Sequence, residues 1–118
     1  MHIVIEDHQR RLVEAENIDY VESESSHVAL HVNDARYVAR STLKHLVTVL
    51  APLGFVRIER SLLINLRKVA FAQRLDRGAF AFTLRNGRRL VSSRKYRKGI
   101  LEEIQRSAQS GGAASAGH

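Results

Sequence analysis

A chain of 118 residues, 44% hydrophobic and 26% charged, suits one domain with its own core and is not composed like a disordered segment. It has no cysteine, which excludes disulfides, thiolate metal sites and cysteine nucleophiles. The net charge of +7 is lopsided: residues 1–50 set five Arg or Lys against eight Asp or Glu (−3), and residues 51–118 set fourteen against four (+10), a field that draws polyanions.

In chain order, Ile3, Val4 and Ile5 can form a first strand within an otherwise ambiguous start. Residues 18–22, with β-branched and aromatic side chains, predict a strand, and the polar run 22–26 a turn. Residues 28–32 resume as a strand, Asn33-Asp34 turns, and 36–40 alternates polar and apolar as a hairpin partner does. A helix follows, with Leu43, Leu46, Val47 and Leu50 at i, i+3, i+4 and i+7, Ser41 or Thr42 as its cap, and Pro52 and Gly54 at its exit. Short apolar segments at 55–58 and 62–64 flank Glu59-Arg60-Ser61, and strands at 69–72 and 79–84 flank Asp76-Arg77-Gly78. Asn86-Gly87 predicts a type I′ hairpin turn into a strand at 89–91. From Arg94 a second helix is expected, capped by Ser92 or Ser93, with Tyr96, Ile100, Leu101 and Ile104 as its apolar stripe. Phe55, Phe71, Phe80 and Phe82 are read as core. Beyond Ser107 the residues are small and polar, and a flexible tail is expected. Strands and helices do not alternate as βαβ units, so the fold class is mostly β and antiparallel.

The chemistry-bearing motifs are mostly negative. The chain has no glycine-rich phosphate loop, no G-x-S-x-G elbow and no H-E-x-x-H. His27 and His31 share a strand face, yet no acidic or cysteine partner sits at a spacing that closes a metal site. Glu22 and Glu24 fit a solvated loop. No catalytic residue, metal or cofactor is expected. With no apolar run near the ~20 residues needed to span a bilayer and no signal-peptide core after Met1, a soluble, cytoplasmic chain is expected.

Three separated segments resemble a known family. Residues 17–24 (NIDYVESE), 54–69 (GFVRIERSLLINLRKV) and 86–96 (NGRRLVSSRKY), in this order and around the Thr42-Leu43-Lys44-His45-Leu46 helix, resemble the motifs of LytTR-type bacterial DNA-binding domains. The likeness covers about residues 17–104; the main departure is Glu59, where the family usually has His. The resemblance implies an elongated, mostly antiparallel β-fold with one short central helix and a C-terminal helix, lying across duplex DNA with loops in successive major grooves. It implies DNA contact by His27, Arg60, Ser61, Ser93, Arg94 and Lys95, with Ser26, Arg57, Arg88, Arg89, Arg97 and Lys98 as possible phosphate contacts. The residue types suit those roles. Arginine matches the paired acceptors of guanine, and Ser and Lys suit phosphate oxygens. Asn65 is read as structural, holding a turn through backbone hydrogen bonds.

On this reading residues 1–16 are a leading segment, a linker remnant with a possible first strand. Residues 17–106 are the DNA-binding domain and 107–118 the tail. The expected partner is double-stranded promoter DNA. A second copy on tandem sites is possible under the family pattern, as is a receiver or sensory domain if the chain is an excised output module. The alternative is a basic β-protein that binds RNA or DNA without sequence preference, or one that docks an acidic protein.

Overall fold

Hairpins dominate the chain. The computed structural model describes residues 1–6 and 10–109, and every strand pairing among them is antiparallel. Strands β1 (His2–Glu6) and β2 (Arg10–Glu14) pair with each other. Strands β3 (Tyr20–Glu24), β4 (His27–Val32), β5 (Ala35–Ala39), β6 (Phe55–Glu59) and β7 (Leu62–Asn65) form a sheet in the order β5-β4-β3-β7-β6. Strands β8 (Val69–Arg74), β9 (Phe80–Leu84) and β10 (Arg89–Val91) form a third sheet, β10-β9-β8. Helix α1 spans Leu43–Leu50 and α2 spans Arg97–Gln109. The body measures 42 × 28 × 25 Å, elongated as the motifs imply.

Two cores explain the arrangement. Along a strand, successive side chains face opposite sides. In β3 and β7, both of which are buried on each face, Val21 and Leu63 therefore point one way and Tyr20 and Ile64 the other. The first set packs with Leu43, Leu46 and Leu50 of α1, with Val28 and Leu30, and with Ile5 and Val13 of the β1–β2 hairpin. The second packs with Ile58, Phe80, Phe82, Leu84, Leu90 and Ile100, which joins the third sheet and α2 to the opposite face. The leading segment 1–16 thus contributes Ile5, Val13 and Ala15 to the first core.

Polar side chains fix the connections. Thr42 caps α1, its Oγ1 accepting the His45 N–H at 3.0 Å. Gly54 adopts φ 94°, the left-handed conformation that turns the chain into β6. Asn65, 1% exposed, donates through Nδ2 to the Ile18 carbonyl at 2.9 Å and accepts the Arg67 N–H at 3.0 Å, the turn-holding role expected of it. Buried Asp19 accepts the Asn33 N–H at 2.7 Å and the Asn86 side-chain amide at 3.5 Å, tying the β4–β5 turn to the β9–β10 hairpin.

Four expectations are corrected. Phe71 is 61% exposed, not core: β8 is an outer strand, and residues 70–74 are exposed on both its faces. The Asn86-Gly87 hairpin is not a two-residue type I′ turn, because of the two only Gly87 has positive φ (92°). Leu84 bonds to Arg88 at 2.8 Å around a three-residue loop, and Asn86 Oδ1 accepts the Arg88 N–H at 2.9 Å. Neither serine caps α2 with its side chain: Ser92 is buried and accepts the Phe80 N–H at 2.9 Å, and Ser93 leads into a 3-10 turn, Arg94–Tyr96, without a side-chain cap bond. Helix α2 continues to Gln109, three residues into the segment read as a tail; residues 110–118 lie outside the described residues.

Candidate nucleic-acid interface

Three turns meet at one end of the five-stranded sheet. The first is Ser25-Ser26 between β3 and β4, closed by the pair Glu24–His27, with Ser25 at φ 49°. Ser26 is exposed, and its Oγ lies 3.2 Å from His27 Nδ1. The second is Arg60-Ser61 between β6 and β7. The Ser61 carbonyl accepts the Ser23 N–H at 2.9 Å, which sets this turn beside the outgoing end of β3. A bulge in β6 between Arg57 and Glu59 frees the Ile58 carbonyl from the ladder, and it accepts the Ser93 N–H at 3.0 Å. That bond delivers the third segment, Ser93-Arg94-Lys95, to the same end. At about 4.8 Å per strand spacing, β4 to β6 covers roughly 14 Å, so the turns carrying His27 and Arg60 and the segment carrying Arg94 share one sheet end.

The second turn is braced from within. Glu59 Oε1 accepts the Arg60 N–H at 2.7 Å, so the carboxylate that replaces the family's histidine caps its own turn. Arg57, half-buried, donates through Nη2 to the Arg60 carbonyl and holds its guanidinium 5.9 Å from the centroid of the Tyr96 ring. Lys95 Nζ lies 5.9 Å from the same ring. Arg60, Arg94 and Lys95 themselves are exposed. Among the described residues the ion pairs are Met1–Glu16, His31–Glu22, Arg36–Glu24 and Arg106–Glu103, so none of these three cations is neutralised by a carboxylate.

The basic surface continues beyond the motifs. Gly78, at φ 83°, lies against the side chains of Arg94 and Arg97: a Cβ there would stand 2.9 Å from Arg97 Cδ and 3.6 Å from Arg94 Cβ. Arg74 and Arg97 line a shallow cleft with Leu75, Gly78 and Phe80, and Arg77 sits in the adjoining turn. Arg74 and Arg77 were absent from the sequence candidates. Their only signal was that they flank a turn glycine, and the fold alone sets their turn beside Arg94 and Arg97.

Arg88 lies elsewhere. Its guanidinium stands 5.4 Å from the Tyr20 ring centroid, at the opposite end of β3 from the Ser25-Ser26 turn, four residues or about 13 Å away. There Tyr20 stacks on His31 with centroids 4.1 Å apart and an 8° tilt, and His31 Nε2 approaches Glu22 Oε1 to 3.4 Å. Tyr20, His31, Asn33, Arg36, Asn86 and Arg88 line an open cavity of about 390 Å³. Burial holds the His31 imidazole below its ordinary pKa, helped by Arg88 and Arg36 and opposed by Glu22. Burial likewise raises the Tyr20 phenol, against the pull of Arg88. Arg89, exposed on β10 opposite Thr83, belongs to neither cluster's contacts.

Residues 8–105 match the profile of the family described as the LytTr DNA-binding domain. The chain belongs to the LytTR family. Among solved structures it is similar to the LytTr DNA-binding domain of a Bacillus cereus protein described as a methyl-accepting/DNA response regulator, with a TM-score of 0.78 at 15% identity, covering 87% of this chain and 95% of that one. At that identity the likeness speaks for the fold. No curated protein sequence matches. The expected LytTR architecture, antiparallel sheets with a short central helix and a C-terminal helix, is the one found. The LytTR match starts at residue 8, nine residues before the first motif.

Proposed function

We propose that this LytTR domain reads base sequence in duplex promoter DNA as the output module of a bacterial transcriptional regulator, its loops entering successive major grooves. One observation carries the reading: three turns distant in sequence bring His27, Arg60 and Arg94 to one end of the sheet, and among the described residues Arg60 and Arg94 have no carboxylate partner. Arg60 and Arg94 are the base readers, each good guanine contact supplying about 1–3 kcal/mol of discrimination. His27 donates to a base or phosphate. Ser26, Ser61, Ser93 and Lys95 take phosphate oxygens beside them, and Arg97 and Lys98, with Arg74 and Arg77, extend phosphate contact along one flank. Arg89 is assigned at most a peripheral phosphate contact. That the Bacillus cereus neighbour is described as part of a response regulator supports a receiver or sensory domain as partner and a two-component role. Two copies on tandem sites are the corresponding assembly.

A second reading has one observation in its favour. Phe71 is exposed on β8 between Lys68 and Arg74, which suits stacking of single-stranded bases without sequence preference. Selection from a randomised duplex pool at near-physiological salt separates the two. Enrichment of a short motif, above all as spaced direct repeats, supports sequence reading. Binding without enrichment, together with single-strand affinity that falls in Phe71→Ala, supports the second.

A further inference from the structure

Arg57 carries a different role from the phosphate contact that its charge invites. Its Nε is buried and has no hydrogen-bond partner among the described residues, and its Nη2 donates to the Arg60 carbonyl. A guanidinium with a buried, unmatched N–H is costly to keep, and no DNA oxygen reaches that atom without rearrangement. The side chain bridges two turns that share no covalent neighbour. On one side is the Arg60-Ser61 turn, whose backbone it grips; on the other is Tyr96, in the 3-10 turn that carries Arg94 and Lys95. The Ile58–Ser93 hydrogen bond runs parallel to this bridge, and the β6 bulge that frees the Ile58 carbonyl begins at Arg57. Lysine cannot reproduce the bridge, because its single ammonium cannot both donate to the carbonyl and present a planar face to the ring.

We propose that Arg57 is a positioning residue, locked with Tyr96, that holds the Arg60 turn and the Arg94-Lys95 turn as one unit so that both present to DNA in a fixed relation. The proposal rests on the DNA-reading function above. It accounts for the low exposure of Arg57 among exposed arginines and for the placement of Tyr96, half-buried between Arg57 and Lys95.

The test compares Arg57→Lys, Arg57→Ala, Tyr96→Phe and Tyr96→Leu with the parent chain, after thermal melts show each is folded. Two readouts are taken: hydrogen-exchange protection of the Ser93 and Tyr96 amides in the free protein, and affinity for an enriched duplex and a random duplex over a salt series. The expected result is that Arg57→Lys and Tyr96→Leu lose discrimination roughly tenfold, the worth of one well-placed base contact, while Tyr96→Phe retains it. In Arg57→Lys the salt slope is unchanged, since the charge is kept and no phosphate contact is lost. Amide protection at Ser93 falls in both disruptive variants, a readout that needs no DNA. A phosphate-contact role predicts the reverse. Arg57→Lys then binds and discriminates as the parent does, Arg57→Ala lowers the slope by about 0.9, and Ser93 protection is unchanged; that set of results overturns the proposal. If the parent chain shows no sequence preference, the reading function fails. The positioning claim is then decided by the exchange data alone.

Discussion

The two ends of the β3–β4 ladder use arginine in opposite ways. At the Ser25-Ser26 end, Arg60 and Arg94 project from turns and, among the described residues, have no carboxylate partner. At the other end, Arg88 lies over Tyr20, within a network where Asp19 ties two hairpins and His31 stacks on Tyr20. Charge alone does not distinguish these arginines. Arg88 rests against a ring of its own protein, whereas Arg60 and Arg94 are held by their backbone and exposed at their tips. One end ties hairpins together, and the other is the end proposed above to meet DNA.

Substitutions at each end should separate stability from recognition. The largest expected effect is at the end that ties the hairpins. Asp19→Ala removes a buried carboxylate that accepts the Asn33 N–H and should lower unfolding free energy by about 1.5–3 kcal/mol in urea titration, leaving DNA discrimination intact in the folded fraction. Arg94→Ala should do the opposite. Its melt is unchanged, while the advantage of the enriched site over random duplex shrinks by about 1–3 kcal/mol and preference relaxes at one base position. Equal losses on both duplexes would end its role as a base reader. Arg88→Ala, at the far end, should cost about 0.5–1 kcal/mol of stability from the lost ring contact and leave discrimination unchanged. Lys98→Ala should weaken all duplexes alike and lower the salt slope by about 0.9, without affecting specificity. The smallest effect concerns pH. The His31 pKa is lowered from 6.5 by burial, so the folded state disfavours the proton that the unfolded chain accepts. The associated stability is complete above about pH 6.5 and is lost as pH falls through the folded pKa; His31→Phe, which keeps the stack and cannot titrate, should flatten that acid limb.

Local signals in the sequence led to much of the fold. The leucine spacing of α1 and its Thr42 cap, the alternation of β4 and β5, and the turn at Asn33-Asp34 depend on neighbours a few residues apart, and all are present. What failed depended on which element lies outermost. Phe71 sits in an apolar run like Phe80 and Phe82, yet β9 is the central strand of its sheet and β8 an outer one, a difference that only the assembled order reveals. The Asn86-Gly87 pair foretold a hairpin but not its loop length, because Asn86 keeps negative φ and uses its side chain to hold Arg88.

The site divides in the same way. The family resemblance brought His27, Arg60, Ser61, Ser93, Arg94 and Lys95 to attention, all but His27 within its motifs, and the fold gathers the turns that carry them at one end. Arg88, which stands in the same motif as Arg94, lies instead against Tyr20, at the end of β3 away from the Ser25-Ser26 turn. Glu59 departs from the family pattern in sequence, and its turn-capping bond to Arg60 was not foreseeable from that departure. Arg74 and Arg77 were missed because nothing local distinguishes a turn arginine beside α2 from one facing water.

The central claim is that recognition belongs to the end bearing the free arginines. Amide and side-chain NMR shifts followed during titration with an enriched duplex test it most directly. The account predicts that the shifts concentrate at residues 26–27, 60–61 and 93–95, with Asp19, Tyr20, His31 and Arg88 unmoved. Perturbations centred on the Tyr20–His31–Arg88 cavity, with the three turns silent, would contradict it.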